Sequence, residues 1–134
     1  KGVDLHKAES MSYKTIKAEP NNGTYLDTYA WILFMEERYA DAKIYIDQAL
    51  KNRDSTADNS TIIEHAGDIY YMNGMADESV DFWKKAYTGE NQTEVLAWKI
   101  KNRQYITEEE LKKRNAPKQK PAVTQKSVRK GKKK

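Results

Sequence analysis

Residues 26–49 read LDTYAWILFMEERYADAKIYIDQA, and residues 63–86 read IEHAGDIYYMNGMADESVDFWKKA. The two stretches align without a gap at a shift of 37 residues. Leu26 falls on Ile63, Ala30 on Gly67, Leu33 on Tyr70, Ala42 on Ser79, Ile46 on Trp83 and Ala49 on Ala86. Within each stretch the apolar residues recur at three- and four-residue steps, the period of one helix face. Leu26, Tyr29, Ala30 and Leu33 form one such stripe, and Ala42, Tyr45, Ile46 and Ala49 form another. Small side chains alternate with larger ones along these stripes, as close packing of helix pairs requires. No segment alternates apolar and polar residues over strand length, and proline is absent between Asn21 and Ala116. The reading is an all-α fold.

Helices are expected at 4–18, 23–36, 39–52, 60–73, 76–88 and 93–103, with a weaker one at 107–113. Their limits carry chemical signals. Pro20 and the run Asn21-Asn22-Gly23 stop the first helix, and Asp54–Ser60 is a polar connector able to cap the next one. Asn73-Gly74 is a tight turn, and Thr93 with Glu94 opens a helix at its positive end. Asn22, Asn59 and Asn91 each start a glycosylation-type triplet, but Asn, Ser and Thr collect at helix starts because they cap them. A partial third copy precedes the two units. Ala8 lies 34 residues before Ala42, with Ser12, Thr15 and Pro20 following it.

The pattern of Gly67, Tyr70, Ala42, Trp83, Ala49, Ala86 and Pro20 resembles that of tetratricopeptide repeat (TPR) proteins. The stretch Tyr25–Trp31 is similar to C-terminal repeats of bacterial members of that family. The resemblance implies a right-handed helical solenoid. It divides the chain into the second helix of a truncated repeat (1–22), two complete repeats (23–58 and 59–92) and a capping helix (93–111). Departures exist: the usual early Trp is Leu26 or Ile63, and Ser79 stands for an Ala. Such units bury their faces only against neighbours. The chain begins at Lys1 rather than Met, so upstream repeats are expected. The compartment is open, bacterial cytoplasm and cell envelope alike being compatible with this resemblance.

Charge divides the chain sharply. Residues 112–134 hold 11 Lys or Arg and no Asp or Glu, leaving 13 basic and 20 acidic residues in the body, a net of −7. The overall +4 is therefore no nucleic-acid footprint of the fold. The tail is expected to be disordered, having too little apolar surface to offset ordering. It offers a second reading, an anchor to nucleic acid or an anionic membrane surface. Cysteine is absent, which excludes disulfides, thiol nucleophiles and zinc–thiolate sites.

No catalytic constellation is legible: there is no Gly-rich phosphate loop and no nucleophile elbow. His65 and Asp68 share a helix face, but such pairs are mostly surface contacts, and His6 stands in a different unit. No catalytic residue, cofactor or metal is expected. By the TPR resemblance, the groove-lining positions are Thr24, Asp27, Trp31, Phe34 and Met35 in one unit. In the next they are Thr61, Glu64, Asp68, Tyr71 and Met72. Carboxylates beside aromatic and Met side chains suit an apolar or basic segment of a protein partner. The acidic-peptide clamp known in the family needs Lys, Arg and Asn at these places, and they are absent. The expected function is a non-catalytic protein-interaction scaffold.

Overall fold

The computed structural model describes residues 4–116, which form seven α-helices, one 3₁₀ turn and no strand. The helices are α1 (Leu5–Ala18), α2 (Gly23–Met35), α3 (Tyr39–Lys51), α4 (Ser60–Met72), α5 (Ala76–Ala86), α6 (Glu94–Asn102) and α7 (Glu108–Asn115). The all-α expectation is met, with helix limits close to those read from the caps and turns. No helix among the described residues is long and apolar enough to cross a membrane.

Several helix starts are sealed by side chains. Asp4 accepts from the Lys7 amide, Asn22 from Tyr25 and Thr93 from Leu96. At α4 the connector 54–60 supplies the cap through Asp58 rather than through Asn59, the residue next to the helix. Asn59 donates its amide to the Asp54 and Ala57 carbonyls, and Asp58 instead accepts from the Ser60 N–H at 2.9 Å. Both complete helix pairs turn in the same way. Arg38 N–H donates to Leu33 C=O at 2.9 Å, and Met75 N–H to Tyr70 C=O at 3.0 Å. The residue before each donor takes a left-handed conformation, Gly74 at φ 78° and Glu37 at φ 63°. Glycine adopts it freely, whereas Glu37 carries a strain of about 1 kcal/mol.

Consecutive helices pack on one another from α1 to α6, most extensively α2 with α3 and α4 with α5, and α2 also touches α4. Most of the residues named above as aligning at the 37-residue shift are buried, Ile63 and Tyr70 being only partly so. Leu26, Ala30, Leu33, Ala42, Ile46 and Ala49 are sealed in one cluster with Ala66 and Ile69, and Val80, Trp83, Ala86 and Leu96 form a second. Two backbones meet closely at Gly23, where an added Cβ would lie 3.0 Å from Asn52 O and 3.2 Å from Ala49 O. Ala49 is fully buried at this crossing. Ala49→Leu is expected to destabilise by about 1–3 kcal/mol through overpacking. An unchanged urea midpoint would show that the crossing is looser than its geometry indicates.

The C-terminal segment departs from expectation in two ways. Helix α7 runs to Asn115, so 112–115, assigned to the tail by composition, are helical. A Thr107/Glu110 capping box and the buried Leu111 anchor it. The remainder of the basic tail, with its expected disorder and anionic partners, lies outside the described residues. The second concerns Tyr105, whose place in the chain, just after the capping helix, suggests packing near Trp98 and Ile100; it does pack on the α6 cluster that holds Ile100. Its ring also reaches Phe34 of α2 and meets it edge-on, at 5.7 Å between centroids. Trp98 is covered by the Arg114 guanidinium, 5.4 Å from its ring. A large ring gains more by filling the concave junction than by lying on a solvated helix.

Candidate functional site

The ten expected groove residues lie in three environments. Thr24, Met35, Thr61 and Met72 are exposed, while Trp31, Glu64 and Tyr71 are partly covered. Asp27, Phe34 and Asp68 are buried, so they are not the open groove groups that the resemblance implied.

Each burial has a partner. Trp31 lies near-parallel to Phe34 at 4.4 Å and to His65 at 4.0 Å, the middle of a three-ring stack across α2 and α4. The His65 ring is held in turn by Asp27, Nδ1 to Oδ1 at 2.8 Å. The 38-residue separation of that pair made it invisible to helical spacing, which put His65 with Asp68. A histidine oriented by a buried carboxylate is also how a general base is held. Among the described residues, however, no hydroxyl is hydrogen-bonded to His65.

Asp68 has a different set of contacts. Its Oδ1 accepts from Lys99 Nζ at 2.8 Å and from Trp83 Nε1 at 2.9 Å. Lys99 also donates to Glu64 Oε2 at 2.9 Å, and Glu64 Oε1 accepts from the Asn91 amide. Burial pushes the Asp68 carboxyl up to about 6, against the pull of Lys99. The tyrosine of this junction, Tyr105, is likewise raised, by burial and then by the Asp68 charge. Lys99 lies 5.4 Å from the Tyr105 ring and 5.6 Å from that of Trp83, so its cation is held by carboxylates and aromatic faces together. The protein's own α6 thus places a cation among the carboxylates of the second unit. Lys99 went unnoticed in the sequence, although a trace was there. It stands between Leu96 and Ile100 on the apolar stripe of α6, where a lysine is either exposed or deliberately paired.

Between these groups a cavity of about 330 Å³ remains open to solvent. It is lined by Trp31, His65, Val95, Tyr105 and Ile106, with Glu64, Asp68, Lys99 and Glu108 supplying charge. Glu108 is 74% exposed, its nearest cation being Lys112 at 3.9 Å. The opening accepts one or two side chains and is not an enclosed substrate chamber. In comparisons with known proteins, no family model matches this chain and no curated protein matches it.

Proposed function

We propose that the chain is part of a right-handed array of the TPR type, with α6 and α7 as its cap. In this reading it is a non-catalytic scaffold that binds an apolar or basic segment of a partner protein. The observation that carries the reading is the open cavity between Trp31 and Tyr105. It has aromatic and aliphatic walls and three carboxylates, Glu64, Asp68 and Glu108, against one Lys99. Carboxylates at a rim steer a cationic segment, and burial beside aromatic rings then supplies most of the affinity. The alignment of α2 with α4 at a constant shift supports an extended segment, with Met35 and Met72 exposed at equivalent places. Flexible thioethers accommodate varied apolar side chains.

Calorimetric titration of short basic, neutral and acidic peptides tests this. Basic peptides with an apolar neighbour are expected to bind best. Glu108→Lys should weaken them by about tenfold by reversing the rim charge. Trp31→Ala should cost about 2 kcal/mol or more, the scale of an interfacial tryptophan. Preference for acidic peptides, or unchanged binding in both variants of demonstrated helicity, would overturn the assignment.

A further inference from the structure

A second cluster lies away from the groove, where α1 meets the end of α2. One ligand atom each from His6, Glu9 and Glu36 falls within 4.8 Å of the others. His6 and Glu9 stand three residues apart on α1, and Glu36 is the C-cap of α2. We propose that these three side chains form a binding site for a divalent transition metal of the Zn²⁺ class, which ties α1 to α2.

The oxygen inventory supports it. Glu9 Oε2 accepts from Arg38 at 2.9 Å and from the Tyr29 hydroxyl at 3.1 Å. Glu36 Oε1 accepts from Arg38 at 3.3 Å. Glu9 Oε1, Glu36 Oε2 and the imidazole of His6 have no hydrogen-bond partner among the described residues. Glu36 Oε2 is moreover buried, on a side chain only 10% exposed. A buried carboxylate oxygen without a donor costs free energy, and a cation removes that cost.

The charge count points the same way. Arg38 is the one cation joined to Glu9, Glu36 and Asp41 together. Three carboxylates around one guanidinium leave two negative charges, which a divalent ion balances.

The donor set selects the class of ion. An imidazole with two carboxylates suits Zn²⁺ and its first-row neighbours, whereas Mg²⁺ and Ca²⁺ prefer oxygen alone. A tetrahedral Zn²⁺ with bonds of about 2.0 Å holds its ligand atoms roughly 3.3 Å apart. Rotation of the exposed His6 ring, and of the Glu9 carboxylate about its end, supplies the closure. Water completes the coordination.

The test is calorimetric titration of the metal-stripped, tag-free chain with ZnCl₂ and separately with MgCl₂, together with melting curves. One Zn²⁺ per chain is expected, with a raised Tm, and no Tm change with Mg²⁺ at equal concentration. His6→Ala and Glu36→Gln should each weaken Zn²⁺ binding by about tenfold or more and remove the Tm rise. Glu36→Gln keeps the shape of the side chain, so its metal-free fold should be retained, as circular dichroism will show. Asp81→Asn, on a distant exposed face, should bind as the parent does. No stoichiometric binding, or parental Zn²⁺ affinity in either ligand variant, would overturn the site.

Discussion

Lys99→Met is expected to destabilise the protein by about 3–5 kcal/mol at pH 8, the cost of leaving one member of a buried ion pair alone. Lys99 and Asp68 have side chains 3% and 5% exposed, so water cannot replace the lost partner. Glu64, at 18%, is better solvated and contributes less to the loss. The pH dependence distinguishes this origin from lost packing. In the parent, the Asp68 carboxyl is raised from an ordinary 3.8 to about 6. The folded state therefore holds a proton that the unfolded state has released between those values. Asp68 consequently favours folding most at low pH, and its contribution falls as pH rises from 3.8 to 6. Without Lys99 the folded value moves higher still, because the chief attraction opposing desolvation is gone. The variant thus continues to lose stability above pH 6, where the Asp68 contribution in the parent has levelled. Urea denaturation at pH 6 and pH 8 should give a smaller deficit at pH 6. An equal deficit at both would mean that Asp68 is not the stranded group. Adding Asp68→Leu to Lys99→Met should recover much of the loss, since it removes the unpaired charge.

Trp83→Ala is expected to cost about 3–5 kcal/mol, the range for deleting a fully buried large aromatic ring. Trp83 is completely enclosed. It lies against Gly67, where a Cβ would come within 2.5 Å of the indole Nε1 and 3.0 Å of Ser79 O. Deleting the ring leaves a cavity at the α4–α5 crossing and removes the indole N–H that Asp68 accepts. Gly67→Ala should be destabilising in its own right by overpacking, because the indole is pinned by its hydrogen bond and cannot retreat. The two changes should be strongly non-additive. With the ring gone, the two nearest contacts of the added methyl disappear, so the double variant should be more stable than the sum of the two losses implies. A strictly additive double-mutant cycle would show that Gly67 is required for a reason other than the indole.

These two sites illustrate what spacing can and cannot disclose. Gly67 and Trp83 were singled out from the chain alone, because a repeated pattern of small and large residues is a record of helix–helix contact. The contact itself, Gly67 against the indole of Trp83, is the interdigitation that such a pattern encodes. The groove residues were read less completely. The resemblance assigns them positions on the first helix of each pair, but a position does not say what covers it. Asp27 and Asp68 are both covered, one by His65 and the other by Lys99 and Trp83. Phe34 is closed over by Trp31 and Tyr105. All these partners but Trp31 come from other helices or from the segment after α6. No local rule links residues 31 positions apart, as Asp68 and Lys99 are.

The sequence by itself determined the all-helical class, the approximate limits of most helices and the apolar stripes that hold much of the core. These follow from local physics: a 3.6-residue period, caps that satisfy free N–H groups, and glycine or asparagine where a helix must stop. The tertiary structure alone decided which charges are paired and which remain available. It brought Lys99 to Asp68, Asp27 to His65, and His6 with Glu9 to Glu36. The reason is one of range. Hydrogen bonds and apolar burial along a helix are fixed within one or two turns. The neutralisation of a buried charge depends on whichever distant group the packing of whole helices carries to it.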